Sequence, residues 1–236
     1  MISKELMQKC CNDMNITITA DAIDRFSEYA RLLVDYNNKV NLTAITNPDD
    51  IVIKHFVDSL CLSGFVELSP DKKLIDVGTG AGFPGAALLC AYPELDITMI
   101  DSVNKKLDFI RFLLKELGLS GNVITIRAED AAKKPEFREK YDIVTSRAVA
   151  SLNVLAEYSI PLTKVGGVFA PLKAVLSPEE DQRGCGAIAN LGGKVQSKNK
   201  YTIPDGSERE IIIVKKVSQT SAKYPRAFAQ ISKKPL

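Results

Sequence analysis

Histidine occurs once in the 236 residues, at His55, and cysteine five times, at Cys10, Cys11, Cys61, Cys90 and Cys185. One imidazole excludes a histidine-rich metal centre. An odd number of irregularly spaced thiols, with no C-x-x-C pair, points to neither a disulfide framework nor a zinc site. No metal is therefore expected. No apolar run reaches membrane-spanning length, and residues 1–20 lack the apolar core of a signal peptide, so the expectation is a reduced cytoplasmic enzyme with no membrane partner. Hydrophobic residues make up 45% and charged residues 25%, enough apolar material for a core without staples.

Net charge is also scarce, at +2, but it is unevenly spread. Residues 211–236 hold six basic side chains (Lys215, Lys216, Lys223, Arg226, Lys233 and Lys234) and no acidic one, leaving the rest of the chain at −4. A basic tail on an acidic body suggests a polyanion partner; lysines that merely aid solubility are the commoner explanation.

What the chain does have is a glycine-rich turn after an apolar run, Leu74-Ile75-Asp76-Val77-Gly78-Thr79-Gly80-Ala81-Gly82-Phe83-Pro84-Gly85. Strand, glycine loop and helix in that order let backbone approach a nucleotide closely. A dinucleotide fingerprint needs a third small residue at 83, where this chain has Phe83. The spacing disfavours a dehydrogenase and suits a cofactor without pyrophosphate, S-adenosylmethionine.

Residues 1–62 read as helical. Thr19 caps one helix ending near Asn37-Asn38, and Asn47 with Pro48 starts another carrying Ile51, Val52, His55, Phe56 and Leu60 on one stripe. A lone histidine there reads as a packing residue. Strands and helices then alternate: strands at Leu74–Val77, Leu95–Ile100, Val123–Ile126, Tyr141–Thr145 and after Gly166-Gly167, then a strand pair at Lys194–Ile203 and Glu210–Val217 that finishes antiparallel. The pattern predicts a helical extension over 1–62 and one α/β domain over 63–236 ending in the basic tail.

Polar residues gather at the predicted strand ends, where an open parallel sheet binds its ligand. Asp101 lies 23 residues after Gly78, near the offset for a carboxylate that accepts both ribose hydroxyls; a cap for the next helix is its plainer reading. Glu129 suits the adenine or a backbone amide, or is a surface glutamate. Arg147, after the fourth strand, suits phosphate or base, or pairs with a buried carboxylate.

Asn41-Leu42-Thr43, His55-Phe56-Val57-Asp58-Ser59-Leu60, the loop from Asp76 to Gly85, Asp101-Ser102 with Lys105-Lys106, Arg127-Ala128-Glu129, Ser146-Arg147-Ala148-Val149-Ala150 and Tyr224-Pro225-Arg226 occur in that order. Together they resemble the glucose-inhibited division protein B family, bacterial methyltransferases of a guanine N7 in small-subunit ribosomal RNA, from about residue 20 to the C-terminus. The resemblance implies a doubly wound, mostly parallel seven-stranded α/β sheet of the S-adenosylmethionine-dependent methyltransferase type. It implies that Gly78, Phe83, Ala128, Glu129 and Arg147 contact the cofactor or border its pocket, beside Gly80 and Asp101 from the loop reading. Lys173 falls at the family's lysine after the fifth strand and, with Lys223 and Arg226 of the tail, is expected to meet RNA. Arg147 is expected to place phosphate or cofactor rather than to press on the methylated face. The partner is then small-subunit ribosomal RNA, naked or within a particle, and a monomer is favoured. Two departures stand out: Ala227-Phe228-Ala229-Gln230-Ile231-Ser232 replaces the family's basic, glycine-containing tail, and Ala174 replaces a frequent glycine. A small-molecule methyltransferase and a non-catalytic cofactor-binding assembly factor are the competing readings.

Overall fold

The computed structural model describes residues 1–236 and begins with helices α1 (Lys4–Asp13) and α2 (Ala20–Asn37). Thr19 caps α2 as its spacing predicts, its hydroxyl accepting the Ala22 amide at 3.2 Å. Asn47 likewise accepts the amides of Asp49 and Asp50 at the start of α3 (Pro48–Asp50). The stripe predicted beyond it is helical, but Ile51–Val57 winds into wider π turns before α4 (Asp58–Leu60). Such turns recur at functional sites, because widening frees carbonyls for other donors.

The rest alternates: β1 (Lys73–Val77), α5 (Gly85–Ala91), β2 (Asp96–Asp101), α6 (Asn104–Glu116), β3 (Asn122–Thr125), α7 (Ala128–Ala131), β4 (Tyr141–Arg147), α8 (Leu152–Ser159), β5 (Thr163–Ala174), α9 (Pro178–Asn190), β6 (Gly193–Thr202), β7 (Glu208–Lys216) and α10 (Phe228–Lys233). The seven strands form one sheet in the order β3-β2-β1-β4-β5-β7-β6. The first five run parallel, and β7 enters antiparallel between β5 and β6. Strand order therefore reverses between β1 and β4, which opens a crevice at their carboxyl ends.

Alternation along each strand divides the core. Leu74, Ile97, Met99 and Ile143 face a layer made by α1, α2, the π turns, α5 and α6. Ile75, Val77, Ile100 and Val144 face the opposite layer, with Leu155 of α8, Ile188 of α9 and Ile231 of α10. The N-terminal helices thus share their core with the sheet, and α2 packs directly on α5 and α6. The tail is no loose arm: Asn153 Nδ2 donates to the Leu236 carbonyl at 2.8 Å, and Ile231 is fully buried.

Candidate cofactor and substrate cleft

The glycine loop takes its shape from three fixed contacts. The Gly78 and Thr79 amides donate to the Ile100 carbonyl at 2.9 and 3.1 Å, tying the loop to the end of β2. Asp101 Oδ2 accepts the Gly80 amide at 3.0 Å. Tyr29 of α2 donates its hydroxyl to the Ala81 carbonyl at 2.6 Å, so the extension holds the loop from outside. Below it, Asp76 Oδ2 accepts the Gly85 amide at 2.9 Å at the start of α5. Burial pushes the Asp76 carboxyl up to about 6.

Gly78 and Gly80 sit at φ +71° and +59°, where a side chain is strained. A Cβ at 78 would also strike Val149 Cγ2 at 2.7 Å, while at 80 it would project into open space with only the Gly78 carbonyl 4.0 Å away. Val149 comes so close because Ala148, just past β4, adopts φ +55°.

Beyond the loop lies a cleft of about 630 Å³ at the carboxyl ends of β1, β2 and β4. Gly78, Gly80, Phe83, Asp101, Ala128, Glu129 and Arg147 all line it, so the structure brings together every residue expected at the cofactor. Asp101 uses its other oxygen to accept the Val103 amide at 2.9 Å, which starts α6. Each of its oxygens keeps a second lone pair. Glu129 is 4% exposed, and its Oε1 has no hydrogen-bond partner, with Arg127 Nη1 3.8 Å away. A buried acceptor without a donor, facing a cleft whose glycine cradle leaves room, fits a ligand with donor groups such as an adenosine.

Arg147 is largely spoken for. Nη1 donates to Asp58 Oδ2 at 2.8 Å and to the Lys54 carbonyl at 2.8 Å, on the π turns. Its guanidinium lies 5.0 Å over the Phe83 ring, and Nη2 is 3.2 Å from His55 Nδ1. Along the same wall, His55 stacks on Phe83 at 4.3 Å and Phe83 on Tyr29 at 5.5 Å. Burial first, then Arg147, pull the His55 imidazole down to about 3, so it is neutral. Arg147 is thus ion-paired with a buried carboxylate, and it forms part of the wall of the cleft.

Two of the three residues expected to meet RNA have partners within the chain. Lys173 pairs with Glu180 at 2.8 Å and donates to the Ala150 carbonyl at 2.7 Å, supporting the loop that follows β4. Arg226 grips the buried Glu157, its Nη2 and Nε donating to Oε2 and Oε1 at 2.6 and 2.9 Å. Lys223 keeps an exposed ammonium, 5.1 Å over the Tyr224 ring, with no carboxylate partner. The tail also reaches the cleft, where Phe228 joins the lining with Arg127 4.8 Å over its ring.

Other lining residues had no assigned role: Leu42, Thr43, Ser102, Lys106, Tyr158 and Phe228. Thr43 and Lys106 stood inside the motifs without a task. Phe228 was visible as an aromatic where the tail departs from its usual composition.

A model of the family described as rRNA small subunit methyltransferase G matches residues 22–212. A protein named ribosomal RNA small subunit methyltransferase G from Limosilactobacillus reuteri is 45% identical over the whole of both chains. One of the same name from Desulfitobacterium hafniense is 44% identical, covering 94% of this chain and 93% of its own. Among solved structures, the 16S rRNA (adenine(1408)-N(1))-methyltransferase of Catenulisporales acidiphilia, crystallised with the cosubstrate SAM, superposes with a TM-score of 0.53. It is 16% identical and covers 66% of this chain and 95% of its own, a likeness of fold alone.

Proposed function

Because the chain belongs to the rRNA small subunit methyltransferase G family, and so is an S-adenosylmethionine-dependent methyltransferase of small-subunit ribosomal RNA, we propose that the atom it methylates is N7 of a guanine. The observation that carries this reading is the state of the titratable groups where β4 meets the π turns. His55 is neutral with both ring nitrogens engaged, and Asp58 is locked to Arg147. A wall without a free base suits an acceptor that has no proton to lose. Guanine N7 offers an in-plane lone pair and no proton, unlike a ring N–H, an exocyclic amine or a ribose hydroxyl.

The cofactor supplies a methyl group already activated on a sulfonium. Gly80 leaves open space beside the loop for the cofactor's amino-acid end, while Gly78 lets Val149 close in, and Asp101 and Glu129 supply acceptors for the adenosine. Phe83, fixed between His55 and Tyr29, keeps one wall rigid and apolar. The residues thus accelerate the reaction by alignment, which alone lowers barriers greatly. The methylated base is cationic, and Asp58, 2.8 Å from Arg147, offsets positive charge at this wall. One chain lines the whole cleft, which supports a monomer, and a ribosomal RNA substrate supports action in the cytoplasm. A small-molecule substrate is disfavoured by the family match.

Modified nucleotides should be mapped in small-subunit RNA from cells with and without the protein, using reduction and aniline scission to reveal N7-methylguanosine. A single scission that vanishes with the protein is expected. A methyl on another atom would overturn the guanine-N7 reading. Repeating the assay in vitro on naked RNA and on particles identifies the form recognised.

A further inference from the structure

The Asn41-Leu42-Thr43 tract reaches the cleft through Leu42 and Thr43. Asn37, the last residue of α2, holds it in place. Its Oδ1 accepts the Leu42 and Thr43 amides at 2.7 and 3.0 Å, and its Nδ2 donates to the Thr43 carbonyl at 3.0 Å. The Thr43 side chain then has two polar neighbours. The Ile45 amide donates to Oγ1 at 3.0 Å, and His55 Nε2 lies 2.8 Å away.

The direction of that second bond follows from the far side of the ring. Arg147 Nη2 lies 3.2 Å from Nδ1, and a guanidinium only donates, so Nδ1 must present its lone pair. The neutral ring then carries its proton on Nε2 and donates it to Thr43 Oγ1. Both acceptor positions of the hydroxyl are filled, by Ile45 and by His55. What remains is the hydroxyl proton, which has no acceptor within the chain, on a residue lining the cleft beside the end of β4.

We propose that Thr43 is a donor-only specificity residue, giving its hydroxyl proton to O6 of the guanine whose N7 is methylated and thereby separating guanine from adenine. The inference rests on the guanine-N7 reading. N7 and O6 share one edge of guanine, so a base that offers N7 to the methyl group offers O6 beside it. Adenine places an amino donor at that point. With both lone pairs used, Oγ1 cannot accept from it, and two donors meet. A neutral donor also adds no positive charge beside a product that becomes cationic.

The test compares Thr43→Val, nearly the same shape without the proton, with Thr43→Ser, which keeps it. Unmodified small-subunit RNA and the same RNA with adenine at the mapped target serve as substrates, and calorimetry gives the cofactor Kd. Thr43→Val is expected to lower kcat/KM on the guanine RNA roughly two- to ten-fold, the usual worth of a neutral hydrogen bond. It should narrow the guanine-over-adenine ratio by a similar factor and leave the Kd for S-adenosylmethionine unchanged. Thr43→Ser should restore the rate and the ratio. A weakened cofactor Kd with normal turnover at saturating cofactor would assign the proton to the cofactor and overturn the proposal. So would an unchanged guanine-over-adenine ratio, or a serine variant as impaired as the valine. If the wild-type protein methylates an atom other than N7, the premise fails before any variant is compared.

Discussion

Asp76, beneath the glycine loop, and His55, in the wall of the cleft, respond to acid in opposite senses. Asp76 is fully buried, with Oδ2 bound by the Gly85 amide and Oδ1 unpartnered, and burial raises it to about 6. The folded protein then holds a proton that the unfolded chain releases near pH 4. Its contribution to stability is full below that point and is lost as pH rises through 6. His55, lowered to about 3, resists a proton that the unfolded chain takes up near pH 6.5; its contribution is full above that value and is lost as pH falls toward 3. Between pH 4 and 6 the two slopes oppose each other. Asp76→Asn removes one of them. Relative to wild type the variant should gain about 3 kcal/mol between pH 4 and 7.5, because each tenfold difference in proton affinity between the folded and unfolded chain is worth about 1.4 kcal/mol. Urea melts at both ends of the range measure this, and a difference that does not change with pH would mean that Asp76 titrates as an ordinary carboxyl.

Among elements, the C-terminal segment changes the picture most. Arg226 donates its amide and its guanidinium to Glu157 of α8, and Nη1 donates to the Lys234 carbonyl at 3.0 Å. That anchorage sets Phe228, the first residue of α10, at the cleft with 48% of its surface exposed. Phe228→Ala should therefore leave the melting temperature almost unchanged and weaken the cofactor about five-fold, for about 1 kcal/mol of apolar contact. Arg226→Ala should instead lower stability by about 3 kcal/mol, because Glu157 would be left buried without its countercharge. Equal cofactor affinity in Phe228→Ala and wild type would remove α10 from the binding site. These contacts also mark the limit of what the sequence made legible. The caps at Thr19 and Asn47 and the glycine loop are local, each written within a few residues by backbone geometry. The antiparallel finish of the sheet was legible too, from turn residues and alternation. Arg226 reads as a free cation because its partner lies 69 residues upstream, and Arg147 finds Asp58 across 89. No local pattern announces either pair. The π turns at Ile51–Val57 escaped for a related reason: an amphipathic stripe looks the same until a distant arginine takes the carbonyls that the wider winding frees.

At the scale of the whole molecule, we propose that residues 1–62 are an extension and 63–236 the catalytic domain, built around one core rather than as separable units. Tyr29 holds the glycine loop, and Phe26, Phe56 and Phe83 lie in the same apolar layer. Charge is organised on the same scale. The tail's excess of basic residues suggests an RNA-binding arm, and a cation already bound to a buried carboxylate releases few counterions when phosphate approaches. Arg226 is such a cation; Lys173, itself mostly buried, is paired with the partly exposed Glu180. Lys105 and Lys106, in the first turn of α6, have no carboxylate partner, and Lys106 lines the cleft. Lys223 is equally free. RNA affinity should then depend on salt through Lys105, Lys106 and Lys223. Each phosphate neutralised on a single strand contributes about −0.7 to the slope of log affinity against log salt. Replacing Lys105 and Lys106 by alanine should flatten that slope by about one unit, and Lys223→Ala by about half a unit. Lys173→Ala should leave it unchanged. The measurement is a salt titration of RNA binding with the demethylated cofactor bound at saturation, so that any loss of cofactor affinity in the Lys106 variant does not enter. A slope that flattens with Lys173→Ala and not with the α6 lysines would mean that Lys173 leaves Glu180 for phosphate on binding, and would return the RNA to the β5 side of the cleft.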